Sequence, residues 1–157
     1  SVAKKEGKAA MNVLGIKKLY TGNFETLKVE FSEKLNVEIL KIIEKNKIDQ
    51  VYSHWTGDIH HDHKAVGKAT LHSARHVKNI LLYRSNWYHS TDMFNGNFYI
   101  DISKTWTIKE KSILQHASEI KRTGQKWINF FHNEALNAGQ KINVKYAEVF
   151  EIVKYLA

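Results

Sequence analysis

The sequence predicts an α/β layer fold with a mostly parallel sheet, and three observations predict it. Strand-like and helix-like stretches alternate along the chain, as they do in such folds. Two short apolar runs, one ending at Ser53 and one containing Ile80, Leu81, Leu82 and Tyr83, read as buried central strands. Polar chemistry is concentrated just after the first of them and ahead of a helix, where open α/β sheets place their sites.

The elements follow in order. Residues 3–14 read as a helix with Ala10, Val13 and Leu14 on its apolar stripe and Gly15 as its C-terminal cap. Residues 16–21 read as a short strand and 22–26 as a loop. Ser32 opens a second helix running to about Asn46, with Leu35, Val37, Ile39, Leu40, Ile42 and Ile43 on a broad packing face. Residues 49–54 form the strand that delivers the polar stretch, and 64–75 form the helix after it, with Val66, Ala69, Thr70 and Ala74 inward. Residues 77–84 are a second central strand and 98–102 a further one. Residues 103–120 read as largely one helix, with Ser103 as N-cap. Residues 121–138 read as mostly helical, with Trp127, Ile128, Phe130 and Phe131 as core. The pattern of 144–156 fits a strand or a helix. No repeat or linker divides the chain, so residues 1–157 read as a single domain.

The chain has 157 residues, enough for one sizeable core. Its 43% hydrophobic content argues for a folded globule rather than disorder. No apolar run approaches the ~18 residues of a membrane span, and no leader of the signal-peptide kind is expected. Cysteine is absent, which excludes disulfide and thiolate chemistry and agrees with a cytoplasmic protein. The net charge is +8, but the lysines are spread along the chain and no nucleic-acid-binding motif accompanies them, so no nucleic-acid partner is expected. A basic surface also favours an anionic or phosphorylated substrate. Homo-oligomer formation is left open.

Chemistry concentrates in His54-Trp55-Thr56-Gly57-Asp58-Ile59-His60-His61-Asp62-His63. Imidazoles and carboxylates at this density suit zinc or another divalent metal. His60 and His63 are three apart and share a face at a helix start. A solvated, histidine-rich loop is the alternative. His72 and His76, four apart on the next helix, read as surface histidines rather than a chelate. Residues 85–92 are rich in aromatic and hydrogen-bonding groups, as a sugar-binding loop is; a surface loop without ligand contact is the other reading.

The stretch from Tyr52 to Val66 resembles the second signature of the PIG-L/LmbE family of zinc-dependent N-deacetylases, with Asp58, His60, Asp62 and His63 on its most distinctive positions. Glu6 to Ile16, Tyr20 to Glu25, Asn97 to Ser103, Lys111 to Ser118 and Tyr146 to Phe150 are similar to further family segments in the same order. The resemblance implies a Rossmann-like three-layer fold, a zinc cofactor and hydrolysis of the N-acetyl group of an amino sugar or related amide. Carried over by motif, His63 is the metal ligand, His60 the electrostatic stabiliser and acid, and Asp62 the residue that holds His60 in its protonated form. Asp58, Trp87, Tyr88 and His89 are assigned to substrate binding. His61 stands where the family usually has proline. The family's His-Pro-Asp-Asp-Glu signature, with two more zinc ligands and the catalytic aspartate, has no counterpart here, so the N-terminal strand and helix are expected to be missing. Asp58 and His60 are then the nearest candidates to complete a site. The competing function is a non-catalytic or fragmentary deacetylase-like domain that binds a sugar or a partner protein.

Overall fold

The computed structural model describes residues 2–157; Ser1, the first residue of the expected domain, lies outside them. Among the described residues there are six helices and a four-stranded sheet ordered β1-β2-β4-β3. The elements are α1 (Val2–Leu14), α2 (Glu33–Asn46), β1 (Gln50–His54), α3 (His61–Ser73), β2 (Asn79–Tyr83), β3 (Phe98–Asp101), α4 (Trp106–Ile113), α5 (Ala117–Thr123), α6 (Gln125–Lys141) and β4 (Ala147–Lys154). None of these helices is long and apolar enough to cross a membrane.

The α/β class is as predicted, but the sheet is mixed rather than mostly parallel. β1 and β2 run parallel, with Gln50 opposite Asn79 and His54 opposite Tyr83. β2 and β4 run antiparallel, with Leu82 opposite Glu151 and an irregularity between Ile80 and Leu81. The closing segment, open between strand and helix in the sequence, supplies that antiparallel partner.

The chain divides into two compact units. One comprises residues 22–98 and 149–157 and holds α2, β1, α3 and β2. Its core is Trp55, Ala74, Val77, Ile80 and Leu82, with Ile43, Val51, Leu71 and Phe94 against it. α2 starts where expected: Ser32 Oγ accepts a hydrogen bond from the Leu35 N–H, and Lys47 closes the helix in a left-handed conformation. The other unit comprises residues 1–21 and 99–148 and holds α1, α4, α5 and α6. Ile102, Trp106 and Ala135 form its core, flanked by Ile100 and Tyr146.

Three boundaries differ from the sequence prediction. Residues 16–21 form no strand, because no other strand runs beside them among the described residues to share their backbone hydrogen bonds. Gly15 caps α1 as expected, at φ +69°, and Ile16 and Leu19 beyond it are about half exposed, at 47% and 51%. The helix expected over 103–120 is broken after Ile113 and restarts at Ala117; Gly124, at φ +69°, separates α5 from α6. α3 begins at His61 rather than Lys64, which brings His61, Asp62 and His63 into its first turn.

Candidate metal and catalytic site

The parallel register of β1 and β2 ends both strands together, so His54 and Tyr83 stand side by side with ring centroids 4.9 Å apart. Beyond His54 the chain turns sharply. Trp55 plunges into the core and donates its backbone N–H to the Tyr83 carbonyl. Gly57 lies against the Trp55 indole so closely that a Cβ there would sit 2.3 Å from the ring. α3 then packs back on the strand end, and a Cβ on Gly67 would fall 2.5 Å from the His54 carbonyl oxygen.

This turn buries Asp58, which is 2% exposed. Its Oδ1 accepts the His60 N–H at 2.7 Å and the Asn86 amide at 2.5 Å. Its Oδ2 lies 3.0 Å from His63 Nδ1. Burial alone would raise the Asp58 pKa; the bonds from His60, His63 and Asn86 outweigh it and hold the carboxyl below its usual value.

Three imidazoles stack above this carboxylate. His63 is the middle ring, 4.0 Å from His54 at an interplanar angle of 5° and 4.3 Å from His60 at 22°. The His54 pKa is pushed down to about 4, first by burial and then by the charge of His63 and His60 against the opposing pull of Asp58. It lines one cavity together with Ile42, Ile43, Val51 and Val66. At neutral pH His54 therefore keeps a free lone pair. Ser85 Oγ lies 3.4 Å from His54 Nδ1 and 3.3 Å from His63 Nδ1. Tyr83 OH lies 3.4 Å from His54 Nε2.

Donor atoms of His54, Asp58 and His63 all lie within 4.8 Å of one another. Two imidazoles and a carboxylate suit zinc and related divalent ions. His60 Nδ1 is buried beside them with no hydrogen-bond partner among the described residues, an orphaned polar atom that a bound ion or water would satisfy. The residues therefore fit a divalent metal in chemistry and spacing. One geometric condition remains. An imidazole lone pair lies in its ring plane, and the His54 and His63 planes are nearly parallel. Both rings reach one ion only after one of them turns.

Of the residues singled out in the sequence, the fold brings together Asp58, His60 and His63. Asp58, expected in substrate binding, has its carboxylate enclosed in the wall of the site. Asp62 differs from expectation. Its carboxylate accepts the Leu27 and Val29 N–H groups at 2.8 and 3.2 Å, and no hydrogen bond joins it to His60 among the described residues. Trp87 and Tyr88 pair with each other at 5.8 Å on the exposed part of their loop, and His89 is exposed next to them. His72 packs edge-on against Phe31 and takes no part in the cluster. Sequence reasoning included His54 in the histidine-rich stretch and Ser85, Asn86 and Ser90 in the 85–92 loop but gave none of them a role of its own; Ser90 donates from Oγ to the Gly57 carbonyl. His54 is the final residue of a strand, and a side chain at a strand's carboxyl end was the signal available for it.

Residues 1–74 match the PIG-L family, described as GlcNAc-PI de-N-acetylase. Among curated proteins, none matches the chain. A conserved protein of Thermus thermophilus superposes with a TM-score of 0.86 at 17% identity, over 99% of this chain and 74% of its own. The N,N'-diacetylchitobiose deacetylase of Pyrococcus horikoshii, in complex with its inhibitor, gives 0.82 at 24% identity, over 97% of this chain and 63% of its own. GalB, the 4-carboxy-2-hydroxymuconate hydratase of Pseudomonas putida, gives 0.73 at 14% identity, over 99% and 72%. At these identities the shared property is the fold.

Proposed function

We propose, for a chain whose first 74 residues match the GlcNAc-PI de-N-acetylase family, that it hydrolyses the N-acetyl group of an amino sugar or a related amide. The observation that carries the reading is the stack of His54, His63 and His60 over a buried carboxylate at the end of β1. Bound zinc, or another divalent ion, supplies polarisation of the acetamide carbonyl and an activated water. Within the group of His54, Asp58 and His63, the two imidazoles would hold it directly.

The remaining roles fall to this chain's own groups. His60, with a buried and unpartnered Nδ1, stabilises negative charge on the former carbonyl oxygen and passes a proton to the leaving amine nitrogen. Water adds to the carbonyl carbon, the C–N bond breaks, and acetate and a free amine leave. Asp62 contributes by pinning residues 27–29 beside the first turn of α3. Trp87, Tyr88 and His89 offer aromatic faces on which a sugar ring stacks. The reading takes residues 1–157 as one deacetylase-like domain containing both compact units. A cytoplasmic location belongs to it, since a cysteine-free chain needs no oxidising compartment.

Zinc content per purified chain and acetate release from N,N'-diacetylchitobiose test the reading together. The expected outcome is about one zinc per chain, with both metal and acetate release lost in His63→Ala. A chain that binds no zinc and releases no acetate overturns it. That outcome would favour the second reading, a sugar- or partner-binding domain without catalysis, which the near-parallel His54 and His63 planes support.

A further inference from the structure

We propose that Asp58 is not a metal ligand but the positioning residue for His63, fixing its tautomer so that Nε2 is the atom presented to a metal, with His54 as the ring that turns. The inference rests on the metal-site reading above for its purpose, but its geometry stands without a metal.

The Asp58 carboxylate is used up by the protein. Oδ1 receives two N–H donors, from the His60 backbone and the Asn86 side chain. Oδ2 faces His63 Nδ1 at 3.0 Å, and the Asp58 side chain has no exposed surface. An ionised carboxylate only accepts hydrogen bonds, so the proton between Oδ2 and Nδ1 sits on the imidazole. His63 is then the Nδ1–H tautomer whenever it is neutral, and its lone pair is on Nε2. A histidine that gives one ring N–H to a carboxylate and the other nitrogen to a metal is a common arrangement for orienting a ligand. Ser85 Oγ, at 3.3 Å from the same Nδ1, is a longer and weaker alternative partner.

Asn86 completes the device. By occupying Oδ1 together with the His60 N–H, it leaves Oδ2 as the only oxygen free to meet His63. Among the described residues the His54 ring nitrogens, in contrast, make only contacts of 3.4 Å, to Tyr83 OH and Ser85 Oγ. Such contacts lie at the long end for hydrogen bonds. Of the two parallel rings, His54 therefore has the weaker polar restraint and is the one assigned to turn.

The test is the tautomer of His63, read by long-range ¹H–¹⁵N correlation spectra of the imidazoles in the full chain at alkaline pH, first without metal and then with added zinc. The expected spectrum has a protonated Nδ1 and a bare Nε2 on His63. Zinc then shifts Nε2 and leaves the Nδ1 proton in place. In Asp58→Asn the amide oxygen goes to the two N–H donors and the amide NH₂ faces His63. The tautomer should then flip to Nε2–H, with zinc affinity lower by about 10–100-fold. Should that variant fail to fold, Asn86→Ala frees Asp58 to rotate and should give a mixture of tautomers. A wild-type His63 protonated at Nε2, a zinc-induced shift at Nδ1, or an unchanged tautomer in the folded Asp58→Asn variant overturns the proposal. If zinc does not bind, the metal-free spectra alone decide it. The deacetylase reading then fails separately.

Discussion

At the scale of single residues, the site depends on close approaches that leave no spare room. Gly57 is the sharpest case. The ring that a Cβ would strike belongs to Trp55, which is buried and cannot swing aside. Gly57→Ala should therefore destabilise the protein by about 1–3 kcal/mol, seen as a lower urea midpoint, and a midpoint equal to wild type would contradict the packing described here. The residue scale is also where the sequence was most and least legible. His60, His63 and Asp58 were identified because motif spacing is local and the turn after β1 brings them together. Asp62 was singled out as well, but for His60, to which no hydrogen bond joins it among the described residues. Nothing in the sequence showed that Leu27 and Val29 would present their N–H groups to it. In the 85–92 loop, composition drew the eye to Trp87, Tyr88 and His89, whereas Ser85, Asn86 and Ser90 make the hydrogen bonds.

At the scale of elements, local patterns gave helices and buried strands well and gave their partners poorly. α2 carries its own evidence, from the Ser32 cap to the apolar face. Residues 16–21 have a strand-like pattern, yet a strand exists only where another lies beside it, and that is not a local property. The same limit kept β4 undecided until β2 supplied its neighbour. Contacts between elements of the 1–21 and 99–148 unit bear a separate prediction. Glu6 of α1 receives both the Ser118 hydroxyl and the Ser118 N–H at the start of α5, and these bonds, the hydroxyl first, lower the Glu6 pKa. A carboxylate with a depressed folded-state pKa contributes its stabilisation fully above the unfolded-state value and loses it as pH falls through the folded-state value. Exchange of the Ser118 amide proton, taken relative to its intrinsic rate at each pH, should accordingly become faster on acidification through that range. Glu6→Gln should show the faster rate already at neutral pH. Equal rates in the two proteins at neutral pH would remove the tie.

For the whole molecule, the basic excess falls mostly in the unit of residues 1–21 and 99–148, while the histidine cluster lies in the other. Charge and chemistry are therefore read separately, and the overall +8 was a poor guide to the site. A metal that binds only the native fold stabilises the whole chain by mass action. At zinc about 100 times above its dissociation constant the gain is about 2.7 kcal/mol, which for a chain of this length raises the melting temperature by about 5–10 °C. Thermal scans with zinc and with chelator should differ by that amount, and superimposable scans would count against a native-state metal site.

The paired ending of β1 and β2 has a genetic corollary. Side chains alternate between the two faces of a strand, so removing one codon between 50 and 54 reverses which face His54 occupies relative to Tyr83. Insertions and deletions in this short interval should thus be far less tolerated than replacements at its solvent-facing positions, and the reading frame of the site is set by the parity of five residues.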